Sequence, residues 1–257
     1  MSSISHCRNR LLSALPANEF RFFSKGLEQF PPRGAGSWSC PTITHVYFIE
    51  SGIASIVAQP GRANQAEVGI IGREGLIGLS ALLGDGSSPY STYMQIGGDA
   101  LRMEAEAFAL ALQRCPVALR IFLAFAQAFL AQVSEAAASS ARVTVDSRLA
   151  RWLLMAQDRV DGDEIPLTHE FLSLMIGARR AGVTEGIHEL TRRGLISTSR
   201  RVITIVGRKG LEEYAGHAYG APEQEYARLM PNVMPLVGGA QVSEPDGLFA
   251  SRKSRLL

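Results

Sequence analysis

Residues 167–196 read LTHEFLSLMIGARRAGVTEGIHELTRRGLI, two short helical patterns separated by one glycine, the second with arginines at both ends. Thr168 is a suitable N-cap, Glu170 puts negative charge in the first turn, and Leu167 can staple onto Leu172 across the cap. Gly177 stands where a left-handed C-terminal cap belongs, and the spacing predicts a second helix from Arg179 or Arg180 to Arg192. Val183, Ile187 and Leu190 share one face of it and are expected in a core. The opposite face carries Ala181, Thr184, Glu185, His188 and Arg192. Gly194 closes the helix, and LISTSRRVITIV, residues 195–206, reads as a hairpin with Arg200 and Arg201 near its tip. Helix, turn, helix and basic hairpin together make a winged helix-turn-helix.

The charge distribution supports that assignment. The whole chain is nearly balanced, with 26 Lys+Arg against 24 Asp+Glu, but residues 171–210 hold eight basic residues against Glu185 and Glu189, a local charge of +6. A helix of this size fits the major groove, where side chains near its N-terminus reach base edges, while arginines at its ends and on the wing meet phosphates. The residues expected to face double-stranded DNA are Thr168, Arg179, Arg180, Ala181, Thr184, Glu185, His188, Arg192, Arg200 and Arg201.

Working outward, the fold class is α+β with two domains. Residues 1–110 are expected to form a jelly-roll-like β-roll, because apolar runs there are brief and glycine-rich: HVYFIESGIASIVAQ gives two strands joined at Ser51 and Gly52, and YSTYMQIGGDALRME gives two more around Gly97 and Gly98. From Ala105 to Ala141 the composition turns to alanine, leucine and phenylalanine, which reads as one long helix, with 111–145 as a dimerisation element. Leu119, Phe122, Phe129, Val133 and Ala136 are expected on its paired face. DSRLARWLLMAQDRV then opens the DNA-binding domain, 146–215, and DGDEIP ends that amphipathic helix in a turn. Residues 216–257, with prolines, glycines and mixed charge, are expected to be a flexible tail.

Other function classes find little support. Three scattered cysteines without CxxC spacing fit a reduced, cytoplasmic protein and argue against a zinc or four-cysteine iron–sulfur site. The most apolar stretch, 117–133, is interrupted by Arg120, Gln127 and Gln132, so no membrane segment is expected. A β-barrel metal enzyme, the main alternative, needs converging histidines, and only His45 lies in the strand region. A winged unit that binds another protein instead of DNA is the third possibility.

The order of β-roll, long helix and winged helix-turn-helix resembles the Crp/Fnr family of bacterial transcription regulators up to about Tyr214. Residues 167–196 carry the resemblance most specifically, with HVYFIESGIASIV and EVGIIGREGLIGLSALLG similar to the family's sensor roll. The resemblance implies a homodimer on a near-palindromic operator, with RNA polymerase as a further partner. It also implies departures. Where the family's cyclic-nucleotide binders hold ribose and phosphate, this chain has Leu79, Pro89 and Tyr90, and residues 75–101 contain no Lys or Arg. Cyclic AMP is therefore not expected to bind, no cofactor is implied, and the effector is left unassigned. Of the family's haem ligands, only His45 and Cys40 are near at hand. In the second helix the family's Arg-Glu pair and later Arg correspond to Arg180, Ala181 and Glu185, which implies a different operator.

Overall fold

The computed structural model describes residues 7–33, 36–37, 42–58, 65–167 and 169–231. Two short helices, α1 (Arg10–Ser13) and α2 (Ala17–Phe23), lead into the roll. Asn9 caps α1 by accepting from the Leu12 N–H at 3.1 Å, and its amide donates to the carbonyls of Ile49 and Gly75 at 3.0 and 2.8 Å. One side chain thus caps the helix and fastens it to the roll.

The roll consists of β1 (Glu28–Arg33), β2 (Gly36–Ser37), β3 (His45–Ile49), β4 (Ile53–Ala58), β5 (Ala66–Ile71), β6 (Leu76–Ile77), β7 (Tyr90–Ile96) and β8 (Gly98–Glu104), with α3 (Leu79–Leu82) between β6 and β7. They form two antiparallel sheets, ordered β1-β8-β3-β6 and β2-β7-β4-β5. Successive strands at Ser51–Gly52 and Gly97–Gly98 do not pair with each other; each junction carries the chain from one sheet to the other. The two corners touch through backbone, so that a Cβ on Gly98 would stand 2.1 Å from the Ser51 carbonyl oxygen. Only glycine fits there.

The expected single helix is two, α4 (Ala105–Arg114) and α5 (Pro116–Arg142). The break falls at Cys115, whose φ/ψ of −124° and 76° is not helical. Pro116 explains it, since the proline ring disfavours helical backbone at the residue before it and supplies no N–H.

α5 commits one face to the roll. Phe122 is completely buried, with ring centroids 5.6 Å from Phe23 and 5.8 Å from both Phe48 and Phe108. Further along, Gly75 and Gly69 let the helix sit close on the sheet: a Cβ on Gly75 would come within 2.3 Å of the Phe125 ring, and one on Gly69 within 2.8 Å of the Phe129 ring. Gln132, which interrupts the apolar run, bonds the exposed edge of β5 in both directions, accepting from Ile70 N–H at 2.7 Å and donating to Ile70 C=O at 3.2 Å. A buried polar side chain there behaves as an extra strand partner.

This corrects the expected dimer face at Phe122. Phe122 belongs to the protomer's own core, and Phe129 and Ala136 are partly buried, Phe129 against that core. Leu119, Ala126 and Val133 are partly buried, like Ala136, and with Leu123 (42% exposed) and Leu130 (57% exposed) they form an outer apolar stripe, Leu119, Leu123, Ala126, Leu130, Val133. α5 has two apolar faces, and a helical wheel cannot tell which one the roll takes.

The second domain contains α6 (Val145–Gln157), β9 (Glu164–Pro166), α7 (His169–Met175), α8 (Arg180–Arg192), β10 (Ile196–Ser199), β11 (Val202–Ile205) and α9 (Arg208–Ala215). β9, expected only as a turn, joins the wing as the third strand of a β10-β11-β9 sheet. α6 is not simply amphipathic: every residue from 149 to 156 is buried. Leu149 and Leu153 share a cluster with α8, while Trp152 turns to the roll and donates its indole N–H to Glu67 at 2.7 Å. Arg159, just beyond α6, pairs with Glu74 of the roll at 2.7 Å.

The expected flexible tail is also corrected in part. After a 3-10 turn (Gly216–Ala218), α10 (Ala221–Leu229) returns to pack on α5, and Tyr226 and Met230 enter the roll's core, each 3% exposed. Pro222 and Glu223 of the same helix are buried as well. Residues 232–257 lie outside the described residues.

The Glu67 contact has a pH signature. Its carboxylate sits between the Ser55 hydroxyl and the Trp152 indole, and burial pushes its pKa from the ordinary 4.5 up to about 7, with those two hydrogen bonds, Arg151 and Arg159 opposing the shift in part. The folded chain holds this proton more tightly than the unfolded chain, so the stabilisation is full below about pH 4.5 and is lost as pH rises to about 7. Glu67→Gln should therefore flatten the fall in stability across that window, measured as the variant-minus-wild-type difference in urea denaturation. An unchanged slope would contradict the assignment.

Candidate nucleic-acid interface

The helix pair is held from below by apolar contacts. Leu172 of α7 and Val183, Ile187 and Leu190 of α8 are buried to within 2% exposure, as the one-face spacing requires. Between them Gly177 adopts φ +59°, the left-handed cap that lets the chain reverse. Thr168 lies outside the described residues.

The other face of α8 is open. Arg180, Ala181, Glu185, His188 and Arg192 belong to it; Arg180, Ala181, His188 and Arg192 have no part in the core, and Thr184 is partly exposed, its hydroxyl donating to the Arg180 carbonyl at 3.0 Å. Arg179 occupies the N-cap position with extended backbone and makes no side-chain cap bond, leaving the first-turn N–H groups without a side-chain acceptor. At the far end Glu189 accepts from Arg192 at 2.8 and 2.9 Å and from Arg193 at 2.6 Å, and its carboxyl is held down at about 2 by those bonds. Arg193 also lies 4.8 Å over the Tyr214 ring. These contacts aim two guanidinium groups along the edge of the domain.

The wing closes with a two-residue turn, Ser199 opposite Val202, so that Arg200 and Arg201 form the tip and both are exposed. Arg201 takes φ +58°, among the described residues the only non-glycine with a positive φ. This backbone is strained for arginine and holds both charges at the apex. Arg208, counted in the basic surplus, turns inward instead: it bonds Asp158 at 2.9 Å, Glu212 at 2.8 Å and the Tyr219 hydroxyl at 2.7 Å. The structure therefore gathers Arg179, Arg180, Arg192, Arg200 and Arg201 at the open face and edges of the winged unit and removes Arg208 from it.

A second site lies in the roll. A cavity of about 520 Å³ opens between β6, α3 and α5, lined mainly by Ile71, Leu76, Leu79, Leu123, Phe129 and Leu130. Tyr90, Ser88, Thr92, His45 and Gln127 supply polar atoms, and no Lys, Arg, Asp or Glu lines it among the described residues. Of the three residues at the positions that correspond to ribose and phosphate contacts, Leu79 and Tyr90 line the cavity and Pro89 does not. His45 is on the wall too, its Nδ1 3.1 Å from the Thr44 hydroxyl, and Cys40 lies outside the described residues. The sequence pattern missed Leu123 and Leu130, and gave no sign of the Glu67–Trp152 and Glu74–Arg159 contacts, whose partners are far apart in the chain.

Residues 147–214 match the model of the Crp-like helix-turn-helix domain. The chain carries that domain within a Crp/Fnr fold. The solved structures that share it include the c-di-GMP responsive global regulator CLP of Xanthomonas campestris, 16% identical, covering 75% of this chain and 100% of its own, with a TM-score of 0.60. FixK2 from Bradyrhizobium japonicum is 14% identical, covers 74% of this chain and 96% of its own, and has a TM-score of 0.63. A CRP-family transcriptional regulator from Thermus thermophilus is 20% identical, covers 76% of this chain and 99% of its own, with a TM-score of 0.60. At these identities the likeness concerns the fold. A search of curated proteins finds no match.

Proposed function

We propose that the chain is a sequence-specific DNA-binding transcriptional regulator of the Crp/Fnr type, acting as a homodimer on a near-palindromic operator. The observation that carries this is α8: its apolar face is buried while the opposite face is open and flanked by arginines on the helix ends and the wing tip. Arg180 at the helix N-terminus can offer a guanidinium to guanine O6 and N7 together. Glu185, one turn on, accepts hydrogen bonds only, which favours a cytosine N4 donor. The uncapped N–H groups after Arg179 suit a phosphate oxygen, and Arg200 and Arg201 suit the backbone beside it.

The outer stripe of α5 supports the dimer. Leu119, Leu123, Ala126, Leu130 and Val133 alternate four- and three-residue steps, the spacing of a paired coiled-coil seam. The roll cavity, apolar and without a charged side chain among the described residues that line it, suits an uncharged small molecule better than a cyclic nucleotide, whose phosphate would find no cationic partner among them.

Three measurements test this reading. Arg180→Ala should relax the preference at one base pair per half-site, a discrimination of about 1–3 kcal/mol, and Glu185→Ala at a different one. Arg201→Ala should weaken binding to all sequences about equally and lower the salt slope by roughly one ion. Affinities for duplexes with single-base changes at two salt concentrations separate these roles; a uniform loss for Arg180→Ala with altered base preference for Arg201→Ala would reverse them. Leu123→Glu combined with Leu130→Glu should give monomers by light scattering, whereas a wild-type protein already monomeric would refute pairing. Titration calorimetry with cyclic AMP should show no saturable micromolar binding, and saturation would overturn the reading of the cavity.

A further inference from the structure

We infer that α10 is a lock that fixes the DNA-binding domain against the roll and thereby sets the half-site spacing the dimer accepts; the spacing role rests on the regulator reading. The domain is held at both ends of its chain. It leaves the roll through α5 and α6, and it returns through α10, which packs back on α5. The Crp-like domain match ends at residue 214, before α10 begins.

α10 seals an ion pair between the domains. Glu74, in the turn before β6, and Arg159, after α6, meet at 2.7 Å with side chains only 3% and 2% exposed. Tyr226 of α10 donates its hydroxyl to the Glu74 carbonyl at 3.2 Å. Glu223, 4% exposed, accepts from the Gly220 N–H at 3.1 Å to close the N-terminus of α10 and stands near Arg159. The space left among Glu74, Arg159, Glu223 and Tyr226 is about 10 Å³, barely room for one water molecule. The attraction between the charges grows as water is excluded, and losing one partner leaves the other buried and unpaired. Without α10, water reaches the pair and its strength falls toward that of a surface ion pair.

The lock does not cover the DNA-facing surface, since Arg180, His188 and the wing tip are exposed with α10 in place. Its effect must therefore be on orientation. Two such domains in a dimer have to present their second helices about one helical turn of DNA apart, and a fixed orientation tolerates only one separation. Preorganisation of this kind removes the ordering cost at binding.

The test uses the full chain, a chain ending at Pro231 and a chain ending at Gly220. Spin labels on non-natural residues at Ala109 of α4 and Thr198 of the wing, diluted with unlabelled chain, report the distance between roll and domain by pulsed EPR. The full chain and the chain ending at Pro231 should give one narrow distribution, and the chain ending at Gly220 a broad one. On two-fold duplexes whose half-sites are moved apart by one base pair, the full chain should lose roughly tenfold or more in affinity and the chain ending at Gly220 less than about threefold, with base preference inside each half-site unchanged. Glu74→Gln in the full chain should shift both readouts the same way, which guards against a truncation that fails to fold. A narrow distribution and intact spacing discrimination in the chain ending at Gly220 and in Glu74→Gln would overturn the lock. Broadening in a protein whose full chain binds no duplex at all would overturn the regulator reading and uphold the lock.

Discussion

The stacking of Phe122 on Phe108, with Phe23 and Phe48 at its edges, commits one face of α5 to the roll, and the rest of the architecture follows from that commitment. With Phe122, Phe125 and Phe129 turned inward, Leu123 and Leu130 are left outside, so the same helix that completes the core presents an apolar stripe to solvent. The roll cavity opens against that stripe and shares Leu123, Leu130 and Val133 with it. The winged helix-turn-helix domain hangs from the C-terminal end of the same helix. Anything that shifts α5 on the roll therefore acts at once on the cavity wall, the outer seam and the domain that carries α8.

Polar as well as apolar contacts join the domain to the roll. Ile53 and Ile70 of the roll join its apolar cluster, but such contacts are non-directional. Trp152 to Glu67, Arg159 to Glu74 and Tyr226 to the Glu74 carbonyl are directional, and each crosses between the two units or seals a contact that does. Buried polar contacts add little net stability against a well-packed apolar alternative. Their use here is to select one orientation.

The winged unit was legible because its signals are local. A turn glycine at Gly177, an apolar triplet at Val183, Ile187 and Leu190, and the basic hairpin at Arg200–Arg201 lie within a few residues of the elements they define. The break at Pro116 and the helix start at Gly220, Pro222 and Glu223 have local signals too, but the apolar run across 105–141 and the mixed composition after 216 outweigh them, and the sequence reads as one helix and a flexible tail. The dimer face was not legible, because Phe122 and Leu123 are both strongly apolar and only the roll decides between them. The contacts of Glu67 and Glu74 join residues 85 positions apart, beyond the reach of any periodicity.

The proposed function turns on α8 and the wing reading duplex DNA as a symmetric pair. Selection of random duplexes by the purified full chain tests that claim most directly. The predicted outcome is enrichment of a two-fold site whose half-site centres lie about 10–10.5 base pairs apart, or a multiple of that. Recovery of sequences with no shared site, or of a single asymmetric element bound by one chain, would contradict it.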